Sequence, residues 1–296
     1  MMPRPNFGIP FTQTYHKKPY AAIDPTQPSL SAAGKTILIT AGHTGIGFAI
    51  AQNFAIAGAA NVILLARRAE VLEQAAKNLS NAHPKTKFHY FAASVNDTSQ
   101  IKEIFSEINS RISDIDILVT SAAYIASMSD VLTLPSEQLR ETFETNVFGN
   151  INLVKEFLVD IPEVGSGKEK IILDLSSAAA HLDSPKYGTY SVSKIAFSRW
   201  LEHLHRDLKG KAVRIHSYHP GGVFTEATKS FGIKEDAMPW DDVQLSGMFS
   251  VWLASKEAAF LDGRFVWANW DATELKEQQA KLESDPYLLT LGLISS

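Results

Sequence analysis

The chain has 296 residues, 45% of them hydrophobic, enough for one large or two ordinary domains with a sizeable core. A formal charge of -4 and a pI near 6.1 lack the basic excess of a nucleic-acid binder. With no cysteine, disulfides, thiolate metal sites and cysteine nucleophiles are excluded, which fits a reducing compartment.

Residues 1–28 hold six of the thirteen prolines, so an extended arm is expected there. Its aromatics Phe7, Phe11, Tyr15 and Tyr20 are expected along the domain surface, and Lys17 and Lys18 as solvated charges. Pro3, Pro5 and Pro10 interrupt what would be the apolar core of a secretory signal. No window reaches the roughly 18 apolar residues that span a bilayer, so a soluble cytoplasmic protein is expected.

From Gly34 the pattern alternates. Thr36–Thr40 is a short β-branched apolar run, Gly42 to Gly47 makes a turn, and a helix follows over Ile46–Ala57, closed by Gly58. Further strands are predicted at Val62–Leu65, Phe88–Ala92, Ile115–Val119, Lys170–Leu175, Val213–Tyr218 and Arg264–Ala268. Further helices are predicted at Glu70–Leu79, Thr98–Arg111, Ser136–Leu158, Thr189–Leu208 and Asp241–Ala254. Strands alternating with helices imply right-handed crossovers and one doubly wound parallel α/β sheet of about seven strands, covered on both faces. The expected organisation is an arm over 1–33, one domain over 34–270, and a C-terminal segment over 271–296. In that last segment Asp271–Glu283 reads as a polar helix. Tyr287–Ile294 reads as an apolar tail that packs on its own domain or on a neighbouring subunit.

Tyr190 is followed four residues later by Lys194, and Ser177 precedes the tyrosine by thirteen residues. Positions i and i+4 share a helix face, so the Lys194 ammonium can lie beside the Tyr190 ring. A free tyrosine titrates near pH 10, and an adjacent cation lowers that value. Such a constellation can pass a proton to a carbonyl oxygen without a metal, and no metal site is expected.

The turn Thr40-Ala41-Gly42-His43-Thr44-Gly45-Ile46-Gly47 joins a first strand to its helix. There glycines let backbone approach a pyrophosphate, and the helix N-terminus stabilises its charge. Here the chain resembles the short-chain dehydrogenase/reductase family, whose fingerprint is T-G-x-x-x-G-x-G. Thr40, Gly45, Ile46 and Gly47 match, whereas Ala41 stands in place of the first glycine and Gly42 follows it. The resemblance covers about residues 34–270. It implies a Rossmann-type fold, a nicotinamide cofactor and a tetrad of Asn146, Ser177, Tyr190 and Lys194, with Asn146 in N-x-x-G. In that tetrad Ser177 holds the carbonyl oxygen and Tyr190 gives the proton. Lys194 lowers the tyrosine pKa and binds the nicotinamide ribose, and Asn146 kinks its helix and holds a relay water.

An acidic residue that would hold a ribose diol is expected at the end of the second strand of an NAD enzyme. That place reads Ala66-Arg67-Arg68, and Arg67 can pair with a 2′-phosphate through its planar fork. In the family His43 and Thr44 sit near the same phosphate, so NADP(H) is the expected cofactor. Ser94-Val95 stands where the family has Asp-Val beside the adenine. Thr120-Ser121-Ala122-Ala123 replaces Asn-Asn-Ala-Gly, and a rearranged hydrogen-bond network is expected around Ser121 and Ala122. Pro220-Gly221-Gly222-Val223-Phe224-Thr225 resembles P-G-x-V-x-T, implying that Pro220, Gly221, Val223 and Thr225 hold the nicotinamide carboxamide.

Residues 226–240, with Phe231, Met238 and Trp240, correspond to the family's substrate loop. Tyr124, Ile125, Met128, His181, Leu182 and Tyr187 are expected at the same sheet edge, His181 as a polar contact. The expected activity is reduction of a largely apolar ketone or oxidation of a secondary alcohol. The strand Phe265 to Trp270 and the proline-rich arm are similar to fungal reductases of secondary metabolism. A non-redox cyclase or dehydratase with a structural cofactor, and a cofactor-sensing binding protein, are the competing readings. A homodimer or homotetramer formed through the long helices is also expected.

Overall fold

The fold is described from a computed structural model covering residues 11–292. The expectations for Pro3, Pro5, Phe7, Pro10 and Ile294 lie outside the described residues.

Seven parallel strands form one sheet in the order β3-β2-β1-β4-β5-β6-β7. They are β1 (Thr36–Thr40), β2 (Asn61–Ala66), β3 (Lys87–Ala92), β4 (Ile117–Thr120), β5 (Lys170–Leu175), β6 (Val213–His219) and β7 (Phe265–Trp267). Between them run α1 (Gly45–Ile56), α2 (Ala69–Ala82), α3 (Thr98–Arg111), α4 (Ser136–Phe143), α5 (Asn150–Phe157) and α6 (Gly188–Asp207). Then follow α7 (Glu226–Ser230), α8 (Val243–Ala254), α9 (Ala272–Glu277) and α10 (Gln279–Ser284).

The strands are apolar throughout because both faces of the sheet are covered. Alternate residues of β1 enter different layers. Ile37 and Ile39 join Phe54 of α1 and Phe249 and Trp252 of α8. Leu38 joins Phe105 of α3, Phe157 of α5 and Phe197 of α6 on the other face. Helices α1 and α8 lie so close that a Cβ on Gly247 would fall 2.4 Å from Asn53 Nδ2 and 2.8 Å from the Ala49 carbonyl.

Two helices differ from the sequence expectation. The predicted helix Ser136–Leu158 is interrupted by a π-helical turn over Glu144–Gly149, which divides α4 from α5. Asp271–Glu283 forms two short helices, α9 and α10, with Asp271 capping the first through the N–H groups of Thr273 and Glu274. The C-terminal tail, as far as residue 292, lies on its own chain. Leu288 and Leu289 pack on the core, Leu289 O accepts from Phe265 N at 2.8 Å, and Glu202 accepts from Leu291 N at 2.6 Å.

Strand order reverses between β1 and β4, and the crevice that this opens at the carboxyl ends of the strands is where such sheets bind ligands.

Candidate active site

A cleft of about 260 Å³ occupies that crevice, lined by Ala41, His43, Ala66, Arg67, Arg68, Ser94, Val95, Ala122, Tyr124 and Thr145. Thus the ends of β1, β2, β3 and β4 supply one wall each.

The turn after β1 departs from expectation in a specific way. Ala41, where the family has a glycine, itself takes the left-handed conformation that glycine favours, at φ 52°. Gly42 does not replace that glycine's freedom. It is needed for space, since a Cβ there would lie 2.8 Å from Leu64 Cδ2 and 3.2 Å from the Ile39 carbonyl. Gly45 has φ 53°, and a Cβ on Gly47 would meet the Ala41 carbonyl at 2.6 Å. The turn is therefore drawn tight against the first residues of α1, and the N–H groups of that helix end need an anion or water.

At the rim, Arg67 and Arg68 are exposed cations, and Ala66 offers no carboxylate. His43 Nδ1 is buried without a hydrogen-bond partner. Burial, and next the Arg68 charge, holds the His43 imidazole below its ordinary pKa. A tight glycine turn, an orphaned imidazole nitrogen and two free cations fit the pyrophosphate and adenosine phosphate of a dinucleotide.

Hydrogen bonds tie the loop after β4 to β1, and β4 itself to β5. Thr40 Oγ1 accepts from the backbone N–H groups of Ser121 and Ala122, at 2.9 and 2.8 Å. Thr120 donates to Asp174 Oδ1 at 3.4 Å. Asp174 is a buried carboxylate in β5 that also accepts from Ser198 at 2.9 Å. Burial pushes its carboxyl up, opposed by the Lys194 charge and by hydrogen bonds from Ser198, Ser217 and Thr120.

Ser176 and Ser177 part at the end of β5. Ser176 is buried and bonds Ser198 at 2.8 Å, whereas Ser177 stays half-buried at the strand edge, its Oγ accepting from Ala179 N at 3.2 Å. Ser177 is thus the one available to a ligand. Tyr190 and Lys194 lie one turn apart on α6, and Lys194 Nζ sits 5.9 Å from the centre of the Tyr190 ring. Only 2% exposed, Lys194 donates to the Leu175 carbonyl at 2.7 Å.

Asn146, fully buried, lies in the π-helical turn. Its Oδ1 accepts from Tyr124 N at 2.7 Å, and Nδ2 donates to Tyr124 O and to Ser193 Oγ, both at 2.9 Å. Both side-chain N–H bonds are therefore used within the protein, and the residue fastens the loop after β4 to α6. Sequence reasoning missed Ser193, although its place directly before Lys194 was a signal. It also missed Asp174, the one carboxylate in a strand whose only other polar residue is Lys170 at its start.

In the segment after β6, expected to cover the substrate, Phe224 and Trp240 pair with ring centres 5.4 Å apart, and Met238 is 46% exposed. Thr225 caps α7 by accepting from Thr228 N, and its methyl lies 3.4 Å from the Cβ position of Gly45. The turn after β6 therefore touches the turn after β1. His181 and Leu182 are half-exposed and pack toward β7 and the core. Trp267 Nε1 donates to His181 Nε2 at 3.1 Å, Phe265 packs edge-on against the ring at 4.8 Å, and Leu182 packs on the core. Burial holds the His181 imidazole at a pKa of about 4, so the ring is neutral.

A family profile described as short chain dehydrogenase matches residues 35–236. The chain is 37% identical over 287 residues to the short chain dehydrogenase/reductase nsrO of Aspergillus novofumigatus, covering 96% of each chain. Solved structures agree in fold. A short chain dehydrogenase from Salmonella enterica matches with a TM-score of 0.75 at 19% identity, over 82% of this chain and 98% of the other. The Pseudomonas aeruginosa RhlG/NADP complex matches at 0.73 and 21%, over 81% and 97%. On its fold, its glycine turn and this relationship, the chain belongs to the short-chain dehydrogenase/reductase family.

Proposed function

We propose that the protein is an NADP(H)-dependent carbonyl reductase or alcohol dehydrogenase acting on a largely apolar ketone or secondary alcohol. What supports this most directly is that Lys194 lies 5.9 Å from the centre of the Tyr190 ring on α6 and donates to the carbonyl of Leu175, two residues before Ser177, in a sheet whose crevice holds a cleft suited to a dinucleotide. The nicotinamide, when bound, supplies or accepts the hydride.

Tyr190 gives its phenolic proton to the carbonyl oxygen. Ser177 hydrogen-bonds the same oxygen, and the Lys194 ammonium favours the phenolate left behind. Asn146 and Ser193 hold α6 against the loop after β4. Gly42, His43, Thr44, Gly45, Ile46 and Gly47 bind the pyrophosphate, with Ser94, Val95, Ser121 and Ala122 along the adenine side. Pro220, Gly221, Val223 and Thr225 face the carboxamide.

Arg67, Arg68 and His43, with Ala66 where a carboxylate would repel phosphate, support NADPH over NADH. The NADP bound in the Pseudomonas relative of like fold agrees with this preference. Phe224, Met238 and Trp240 support an apolar substrate. The resemblance of the Phe265 to Trp270 stretch and the proline-rich arm to fungal reductases of secondary metabolism supports a polyketide, terpenoid or alkaloid carbonyl. No helix among the described residues is long and apolar enough to cross a membrane, in keeping with a cytoplasmic enzyme. Leu139, Phe148, Val192 and Ile195 leave apolar surface on α4, α6 and the π-helical turn, which supports pairing of two chains there.

The test is to mix the protein with NADPH and a panel of ketones and follow absorbance at 340 nm. Alcohol formation matched by NADPH loss is expected. Product without NADPH loss makes it a non-redox enzyme, and cofactor binding alone makes it a binding protein.

A further inference from the structure

The segment that leaves β6 and crosses the substrate side begins and ends on the same two residues. Asp241, 8% exposed, accepts the N–H of Gly222 on Oδ2 at 2.7 Å, and its own N–H donates to the Gly222 carbonyl at 2.8 Å. The intervening residues, with α7 among them, therefore form a closed loop. Its neck is tight. Gly221, at φ 95°, has no room for a side chain, since a Cβ would lie 2.7 Å from Asp241 Oδ2.

The neck is held from behind by the N-terminal arm. Asp241 Oδ2 accepts a second hydrogen bond from Asn269 Nδ2 at 3.0 Å, just beyond β7. The same Nδ2 donates to the His16 carbonyl at 2.8 Å, and the Asn269 carbonyl accepts from His16 N at 2.7 Å. One residue on, the Lys17 carbonyl accepts from Asp242 N at 2.8 Å, and Lys17 Nζ donates to the Pro239 carbonyl at 2.9 Å. The arm is itself anchored. His16 pairs with Asp271 at 2.8 Å and stacks on Tyr20 at 3.6 Å, and the Tyr20 hydroxyl donates to the Trp270 carbonyl at 3.0 Å.

We infer that Asp241 and Asn269 are positioning residues of the active site, through which the N-terminal arm sets the turn Pro220–Gly222 and the neck of the substrate loop. This rests on the proposed reading, in which that turn faces the nicotinamide. The physical reason is economy of contacts. A glycine-rich turn has little intrinsic preference for one conformation, so its shape is imposed by what it bonds. Here one buried carboxylate oxygen collects two N–H donors, one from the turn and one from the residue that grips the arm. The arm begins about 200 residues before the turn in sequence and reaches it through this junction.

The test uses ligand halves, so it needs no substrate. NADPH and adenosine 2′,5′-bisphosphate are titrated into the full chain and into Asp241→Ala, Asp241→Asn and Asn269→Ala, each checked by thermal unfolding. Asp241→Ala should weaken NADPH about tenfold or more while leaving the adenosine half within about twofold. Asp241→Asn keeps an oxygen facing both donors and should recover most of the NADPH affinity. Asn269→Ala leaves the Gly222 contact but cuts the side-chain link between Asp241 and the arm, and should weaken NADPH severalfold with the same selectivity. Should Asp241→Ala fail to fold, Asn269→Ala and Lys17→Ala carry the comparison, Lys17→Ala showing the same selectivity in smaller measure. Equal weakening of both ligands, or NADPH affinity unchanged in the variants, overturns the inference. If the unaltered chain prefers NADH, the comparison is made with NADH and AMP. If it binds no dinucleotide, the reading of the site falls first.

Discussion

Asn146 Nδ2 lies 2.9 Å from Ser193 Oγ, and that hydroxyl donates in turn to the carbonyl of Tyr190 at 2.7 Å. A residue of the π-helical turn is thereby tied to the helix turn that carries the proposed acid. The arrangement accounts for the interruption between α4 and α5, since π turns commonly arise where a side chain must be re-aimed at a site.

Ser193→Ala should leave an Asn146 N–H buried without a partner, costing about 1–3 kcal/mol of stability. Because α6 then loses its tether to the loop after β4, kcat should also fall about tenfold. Thermal unfolding and steady-state kinetics of the variant check both. A wild-type rate together with a wild-type melting temperature would show that the bridge is idle.

Removing only the hydroxyl of Tyr190 tests the proton transfer. Tyr190→Phe should fold and bind NADPH normally while turnover drops by about 10² to 10⁴. Ser177→Ala should likewise slow turnover with little change in cofactor affinity. Lys194→Ala should lose both, because it removes a buried cation as well as a proposed ribose contact. Single-turnover oxidation of bound NADPH is the measurement, and an unaffected Tyr190→Phe rate would refute the tyrosine mechanism.

Arg67→Ala should remove a charge-assisted contact to the 2′-phosphate worth about 1.5–3 kcal/mol. Affinity for NADPH should therefore fall at least about tenfold, with NADH nearly unchanged. Calorimetric titration of both cofactors decides it, and equal losses would count against a phosphate role.

Ala41 bears the strain that a glycine would avoid. Ala41→Gly should relieve about 1–2 kcal/mol of left-handed strain, partly offset by the greater freedom of glycine in the unfolded chain. A gain of up to about 1 kcal/mol, read as a small rise in melting temperature, is expected. A clear loss of stability would mean that the alanine methyl makes contacts worth more than the strain.

Three histidines make stability depend on pH. Burial holds His181 and His216 at about 4 and His219 at about 3, against 6.5 for a free imidazole. Between those values the unfolded chain binds protons that the folded chain does not. The stability these neutral rings allow is therefore complete above about pH 6.5 and is lost as pH falls toward 4. Each contributes up to about 1.4 kcal/mol per pH unit in that window. His216→Gln should flatten the fall of melting temperature between pH 6.5 and 4.5, and an unchanged slope would show that His216 does not titrate on unfolding.

The features legible along the chain were local ones. The bounds of β1, α3 and β5 follow from runs of apolar residues and from turn residues a few positions away. Placing Tyr190 and Lys194 on one helix face needed only the 3.6-residue period. What tertiary structure decided depends on residues far apart in sequence. Whether Ala41 could take a glycine's conformation was set by its packing between β1, β2 and α1. His181 was drawn to Trp267, 86 residues away. Lys17 and His16 reached Pro239 and Asn269 across more than 200 residues. No period or spacing encodes such contacts, because they exist only once the sheet has brought β6 and β7 together and left a surface for the arm to cross.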